Sequence, residues 1–147
     1  MYSDWSVNFV VFAVTVAIVA LSVLLHYEGL LLTFRGLARL VRHRRITVLY
    51  AISSVLLLHV LEIWLFGLAY WALLRWPEFG SLGTGFQHFF DAIYFSAVTF
   101  TTVGYGDLAP AGPIRFLAGT ESLTGFVLIA WSASFTYLEM ERFWRRA

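Results

Sequence analysis

The chain has 147 residues, 60% of them hydrophobic, a formal net charge of +1 and no cysteine. Its mean hydropathy of +0.77 excludes an ordinary water-soluble domain, the near-zero charge offers nothing to a nucleic acid, and the absent thiols exclude disulfides and thiolate metal sites. The length allows one domain.

The first element, Trp5 to Tyr27, is an apolar run without formal charge. It exceeds the roughly 20 residues that a helix needs to cross the hydrocarbon core. No basic residue precedes it and no small-residue cleavage motif follows it, so it reads as a transmembrane helix and not a cleaved leader.

Next comes the basic segment "LLLTFRGLARLVRHRR", residues 30–45. Leu30, Phe34, Leu37 and Val41 fall on one helical face, and Arg35, Arg39 and Arg42 on another. The pattern predicts a separate amphipathic helix over 29–45, lying at the cytoplasmic interface with its arginines toward anionic lipid. A plain topology-setting loop is the alternative. Arg39, Arg42 and Arg45 also recur every third residue, as in voltage sensors. That reading fails because span one offers no countercharge between Asp4 and Glu28. His26 and His43 read as interfacial residues.

The second span lies within 46–75 and contains His59 and Glu62, three residues apart on one face. A hydrogen bond between them is expected, and two ligands are too few for a metal site. After it, His88 to Phe100 is apolar but would reach only about 20 Å as a helix, too short to span. Thr84 and Gln87 match a capping box and predict a helix over 85–100. Asp91 then either complements the helix dipole or is a solvated carboxylate.

The stretch "TFTTVGYGDLAP", residues 99–110, has neither helical nor strand periodicity. Non-helical backbone at membrane depth persists only where protein buries it or it lines a watery cavity. Gly104 and Gly106 can take positive φ without a Cβ penalty, which lets successive carbonyls turn the same way. Rings of such carbonyls replace the hydration shell of a cation, and one chain supplies only part of a ring.

The third span lies within 113–145, starting at Pro113 and carrying Glu121. Glu121 falls about 12 Å below the outer helix end, a depth that predicts contact with the back of the short helix near Ser96 and Thr99. Its role stays open between a neutral structural hydrogen bond and a group whose protonation titrates function. The arginines cluster between spans one and two and after span three, so the N-terminus is expected outside and the C-terminus in the cytoplasm.

"TTVGYGD" resembles the selectivity-filter signature of potassium channels, and "DAIYFSAVTF" resembles their pore helix; the likeness covers roughly 46–147. It implies an all-α membrane protein with three transmembrane helices, a re-entrant pore helix and a filter. It further implies a homotetramer in the cell membrane that conducts K⁺ passively. The corresponding division is an N-terminal helix at 1–28, an interfacial helix at 29–45 similar to a slide helix, and a pore domain at 46–147. Within that domain the resemblance gives an outer helix at 46–75, a pore helix at 85–100, a filter at 101–106 and an inner helix at 113–145.

By the same likeness, carbonyls of Thr102, Val103, Gly104 and Tyr105, with the Thr102 hydroxyl and Gly106 completing the strip, hold dehydrated K⁺. Tyr94 and Phe95 form the flanking aromatic pair, with Tyr94 able to reach Asp107. Val98 stands where some relatives carry glutamate, which removes a carboxylate pair with Asp107. Gly125 matches a hinge glycine, or serves close helix packing; Phe126, Ile129 and Ala133 would face the cavity. Two rivals are a K⁺ transporter subunit and a non-conducting accessory subunit. The first is built from four degenerate repeats where this chain has one, and an intact filter argues against the second. No nucleophile–base pair or nucleotide loop points to an enzyme. No cofactor is expected beyond the permeant ion, and no partner beyond further copies and membrane lipid.

Overall fold

The structure is a computed structural model that describes residues 5–39 and 44–145. In chain order it has α1 (Trp5–Arg39), α2 (Arg44–Leu73), a 3₁₀ turn at Pro77–Phe79, α3 (Phe89–Phe100) and α4 (Arg115–Arg145). The described residues contain no β-strand, so the all-α class holds. Trp5–Ala38, Arg45–Leu73 and Arg115–Arg142 are the helices long and apolar enough to cross a membrane. At 12 residues, α3 reaches only about 18 Å and cannot.

The expected break between a first span and an interfacial helix is absent. Residues 29–39 continue α1 without interruption and lie antiparallel on the first half of α2. Glycines explain the change. A Cβ at Gly29 would come within 2.6 Å of Leu58, and one at Gly36 would strike the Tyr50 hydroxyl. Two glycines seven residues apart are two turns apart on one face, so they form a shallow groove for α2 side chains. The face that lands on α2 carries Leu30, Thr33 and Leu37, all buried, whereas Phe34 is exposed. Val41, Arg42 and His43 lie outside the described residues.

Farther along, α1 also packs on α4: Val11 joins the main core, and the Phe12 and Phe116 rings stand 5.8 Å apart. The short helix α3 is wedged between α2 and α4. Phe66, Tyr70, Ala92, Phe95, Phe100 and Leu117 form the centre of that wedge.

α3 begins four residues later than the Thr84–Gln87 box predicts. Gly83 takes φ +84° and the Phe86 amide bonds the Gly83 carbonyl, so Thr84 lies in a turn. The box actually used is the next one. His88 is the N-cap, and the Asp91 carboxylate accepts from the Gln87 and His88 amides at 2.8 and 2.7 Å. α4 starts two residues after Pro113, within the fraying expected at helix ends.

The two ends of the segment between α2 and α4 are tied together. Ser81 and Ala111 exchange both main-chain hydrogen bonds, at 3.1 and 2.8 Å, and the Ile114 amide bonds the Phe79 carbonyl at 3.0 Å. Gly80, at φ +125°, allows the close approach, because a Cβ there would collide with the Ala111 carbonyl.

Candidate functional site

The strip after α3 has an alternating backbone. Thr102, Gly104 and Gly106 take φ of +58°, +52° and +85°, every second residue. The two glycines behave as their sequence predicts. Thr102 does so as well, although left-handed backbone costs a residue with a Cβ about 1–2 kcal/mol. Nothing lies within 4 Å of a Cβ built on Gly104 or Gly106, so the backbone angle and not space requires glycine there.

Only the start of the strip is anchored. The Thr102 amide bonds Thr99 O at 3.0 Å, the Gly104 amide bonds Val98 O at 3.1 Å, and the Thr101 hydroxyl donates to Ala97 O at 2.7 Å. Among the described residues, no hydrogen bond reaches the carbonyls of Thr102, Val103, Gly104 or Tyr105. The strip lies open on the surface of the single chain, with Tyr105 73% exposed. Behind it, Val98, Thr99, Thr102, Ala118 and Ser122 help line a cavity of about 340 Å³.

The flanking residues divide. Tyr94 donates to Asp107 at 2.9 Å, as expected. Phe95 turns away into the core, edge-on to Tyr70 with centroids 5.0 Å apart. Asp91 is partly exposed, and the two amide donors at the α3 N-terminus hold its carboxyl below the usual range.

Glu121 is fully buried behind α3, where its depth in α4 predicts. The Ser96 hydroxyl lies 2.5 Å from Oε1, and the Tyr70 hydroxyl donates to Oε2 at 2.6 Å. Thr99 is not a partner; it lines the cavity. Tyr70 is the partner that sequence reasoning missed, its only signal being a phenol inside an apolar span. Ser96 Oγ also lies 2.8 Å from Ile63 O. The Ser96 hydroxyl has one proton for two acceptors, Glu121 Oε1 and Ile63 O.

Gly125 lies where α4 crosses the end of α3, and a Cβ there would collide with the Phe100 carbonyl. That contact is the close packing weighed against a hinge. Phe126, Ile129 and Ala133 are exposed along α4 in the single chain.

His26 is not interfacial. It is fully buried, its Nδ1 lies 2.7 Å from Glu62 Oε1, and its ring lies 5.1 Å from Trp131. The expected His59–Glu62 bond is present at 2.8 Å. The expectation of only two metal-capable groups is corrected: His26, His59 and Glu62 offer three donor atoms within 4.8 Å of one another. The register of α1 on α2 brings in the third, and the pattern within either helix cannot show that register.

Residues 45–140 match a family model described as ion channel. Protein LctB of Geobacillus stearothermophilus is 36% identical over 52 residues, covering 35% of this chain and 39% of that protein. The inward rectifier potassium channel Kirbac3.1 of Paramagnetospirillum magnetotacticum is 42% identical over 55 residues, covering 37% of this chain and 19% of its own. The chain thus spans 39% or less of the length of these curated relatives. No solved structure matches it.

Proposed function

The chain belongs to the ion channel family, and on that premise we propose that four copies assemble a K⁺-selective pore, each giving residues 101–106 as one quarter of its filter. The observation that carries this reading is the alternating strip whose four carbonyls have no main-chain donor among the described residues. Unpaired carbonyls of Thr102, Val103, Gly104 and Tyr105, with the Thr102 hydroxyl, replace water around a dehydrated cation. A single chain cannot close such a ring. The similarity to a protein named as a potassium channel supports K⁺ as the ion.

The surroundings serve the same end. The C-terminal end of α3 abuts the strip, and the partial negative charge of a helix C-terminus favours a cation beside it. Tyr94 and Asp107 brace the outer end of the strip, and Glu121, Ser96 and Tyr70 brace α3 from behind. Phe126, Ile129 and Ala133, exposed on α4, face the cavity below the filter, while Gly125 packs α4 on the end of α3. By its charge, the arginine-rich sequence around the junction of α1 and α2, with Arg35, Arg39 and Arg42, belongs on the cytoplasmic side beside anionic lipid, with the N-terminus outside.

Flux of K⁺ and Na⁺ into liposomes holding the purified protein tests the proposal. The expected result is K⁺ flux with little Na⁺ flux. Equal flux of the two ions overturns selectivity, and no flux of either favours an accessory subunit.

A further inference from the structure

We propose that His26, His59 and Glu62 form a binding site for one zinc-class divalent cation per chain, inside the protein and apart from the filter strip. The three side chains come from α1 and α2, and each brings one donor atom to a cluster no wider than 4.8 Å. The donor set selects the metal. Two imidazole nitrogens and one carboxylate oxygen, with no sulfur, suit Zn²⁺ or its neighbours Ni²⁺ and Co²⁺. Ca²⁺ and Mg²⁺ ask for all-oxygen shells, and Cu⁺ for sulfur.

The geometry is close to what such an ion needs. Zinc–ligand distances of about 2.0–2.1 Å place tetrahedral donors about 3.3 Å apart. The two His–Glu62 contacts are 2.7 and 2.8 Å, to opposite oxygens of the carboxylate, and the three donors lie within 4.8 Å of one another, so a turn of the carboxylate and shifts of up to about 1.5 Å bring all three onto one ion. Without metal the same residues hold one another, so the site is assembled before the ion arrives.

Neighbouring groups fit the same reading. His26 faces Glu62 with Nδ1, while its Nε2 lies 3.4 Å from the Ser132 hydroxyl on α4. That is the outer partner a metal-bound imidazole uses to fix its tautomer. Ser22, one turn before His26 on α1, is fully buried, and its Oγ is the one buried side-chain polar atom without a partner among the described residues. Three protein ligands leave a fourth position for water, and an orphan hydroxyl one helical turn from His26 suits such a water. Access exists as well: the His59 side chain is 14% exposed, and with Ile129 and Ser132 it lines a groove of about 450 Å³ between α2 and α4.

The bound ion gives α1 a task, because it ties this helix to the family-matched region through His26. His59 stacks toward Phe100, with centroids 5.8 Å apart, at the residue that ends α3. The metal therefore sits one side chain away from the base of the strip.

The test uses the full chain in detergent, stripped by chelator and titrated with Zn²⁺, with bound metal counted per chain. One zinc per chain and a raised thermal midpoint are expected. His26→Gln and Glu62→Gln should each lower the affinity about 100-fold or more, since each removes a direct ligand while keeping a polar side chain. X-ray absorption of the zinc-loaded wild type reads the shell without any variant, and two imidazoles in a four-coordinate nitrogen and oxygen shell are expected. Failure of the wild type to bind zinc at micromolar concentration, unchanged affinity in folded variants, or a shell with fewer than two imidazoles overturns the proposal.

Discussion

Tyr70 on α2 and Glu121 on α4, 51 residues apart, meet in a 2.6 Å hydrogen bond behind α3. With Ser96 they join three helices through one buried carboxyl group. Glu121→Gln supplies an amide donor toward Ser96 and an acceptor for Tyr70, so it mimics the protonated group. It should keep K⁺ selectivity and flatten any pH dependence of flux. Glu121→Ala should instead cost about 1–3 kcal/mol of stability, because it strands the Tyr70 hydroxyl. Liposome flux across pH and thermal unfolding in detergent check the two outcomes, and an unchanged pH profile in Glu121→Gln assigns the residue to structure alone.

Tyr105→Asp alters the outermost carbonyl ring of the proposed filter and should abolish the preference for K⁺ over Na⁺. Gly104→Ala meets no neighbour, so its effect should come from backbone strain of about 1–2 kcal/mol. The chain should still fold and lose K⁺ flux. Native mass spectrometry of the wild type should show four chains, and a stable dimer would contradict the quarter-ring argument.

Gly125→Ala forces α4 away from the Phe100 carbonyl. Overpacking of this kind costs about 1–3 kcal/mol, and here it acts on the end of α3, next to the strip. Reduced flux with a lowered thermal midpoint is expected. A pure hinge role predicts altered gating with the midpoint unchanged, so the two measurements separate the readings.

Asp91 provides a pH test outside the spans. Its folded pKa lies below the usual carboxyl value, because the Gln87 and His88 amides bond the charged form. The stabilisation it gives is therefore present above the ordinary carboxylate range near pH 4 and lost as pH falls through the lowered folded value. Asp91→Ala should have a lower thermal midpoint than the wild type at neutral pH, and the gap should close in strong acid. A gap independent of pH would show that the carboxylate charge does not matter to the cap.

Several features were legible because they depend on one local period or on one run of composition. The three long helices follow from hydropathy, the His59–Glu62 pair from i,i+3 spacing, and the left-handed glycines from the absent Cβ. The Tyr94–Asp107 bond came through the resemblance. Features that depend on how two helices slide past each other were not legible. Tyr70 reaches Glu121, and His26 reaches Glu62, only because of the register of their helices. The Gly29 and Gly36 groove likewise turned an apparently surface-seeking face onto α2. The start of α3 was misread because two overlapping box patterns compete, and only the amide geometry at Asp91 decides between them.

The pair formed by Ser81 and Ala111 has a thermodynamic consequence. Closing a flexible loop of this length costs about 3 kcal/mol in chain entropy. Main-chain bonds at the neck, reinforced by Ile114 and Phe79, meet that cost outside the strip itself. The carbonyls from Thr102 to Tyr105 are then not needed to hold the loop shut. In the proposed filter, an ion could then leave them again and again without the loop losing its shape.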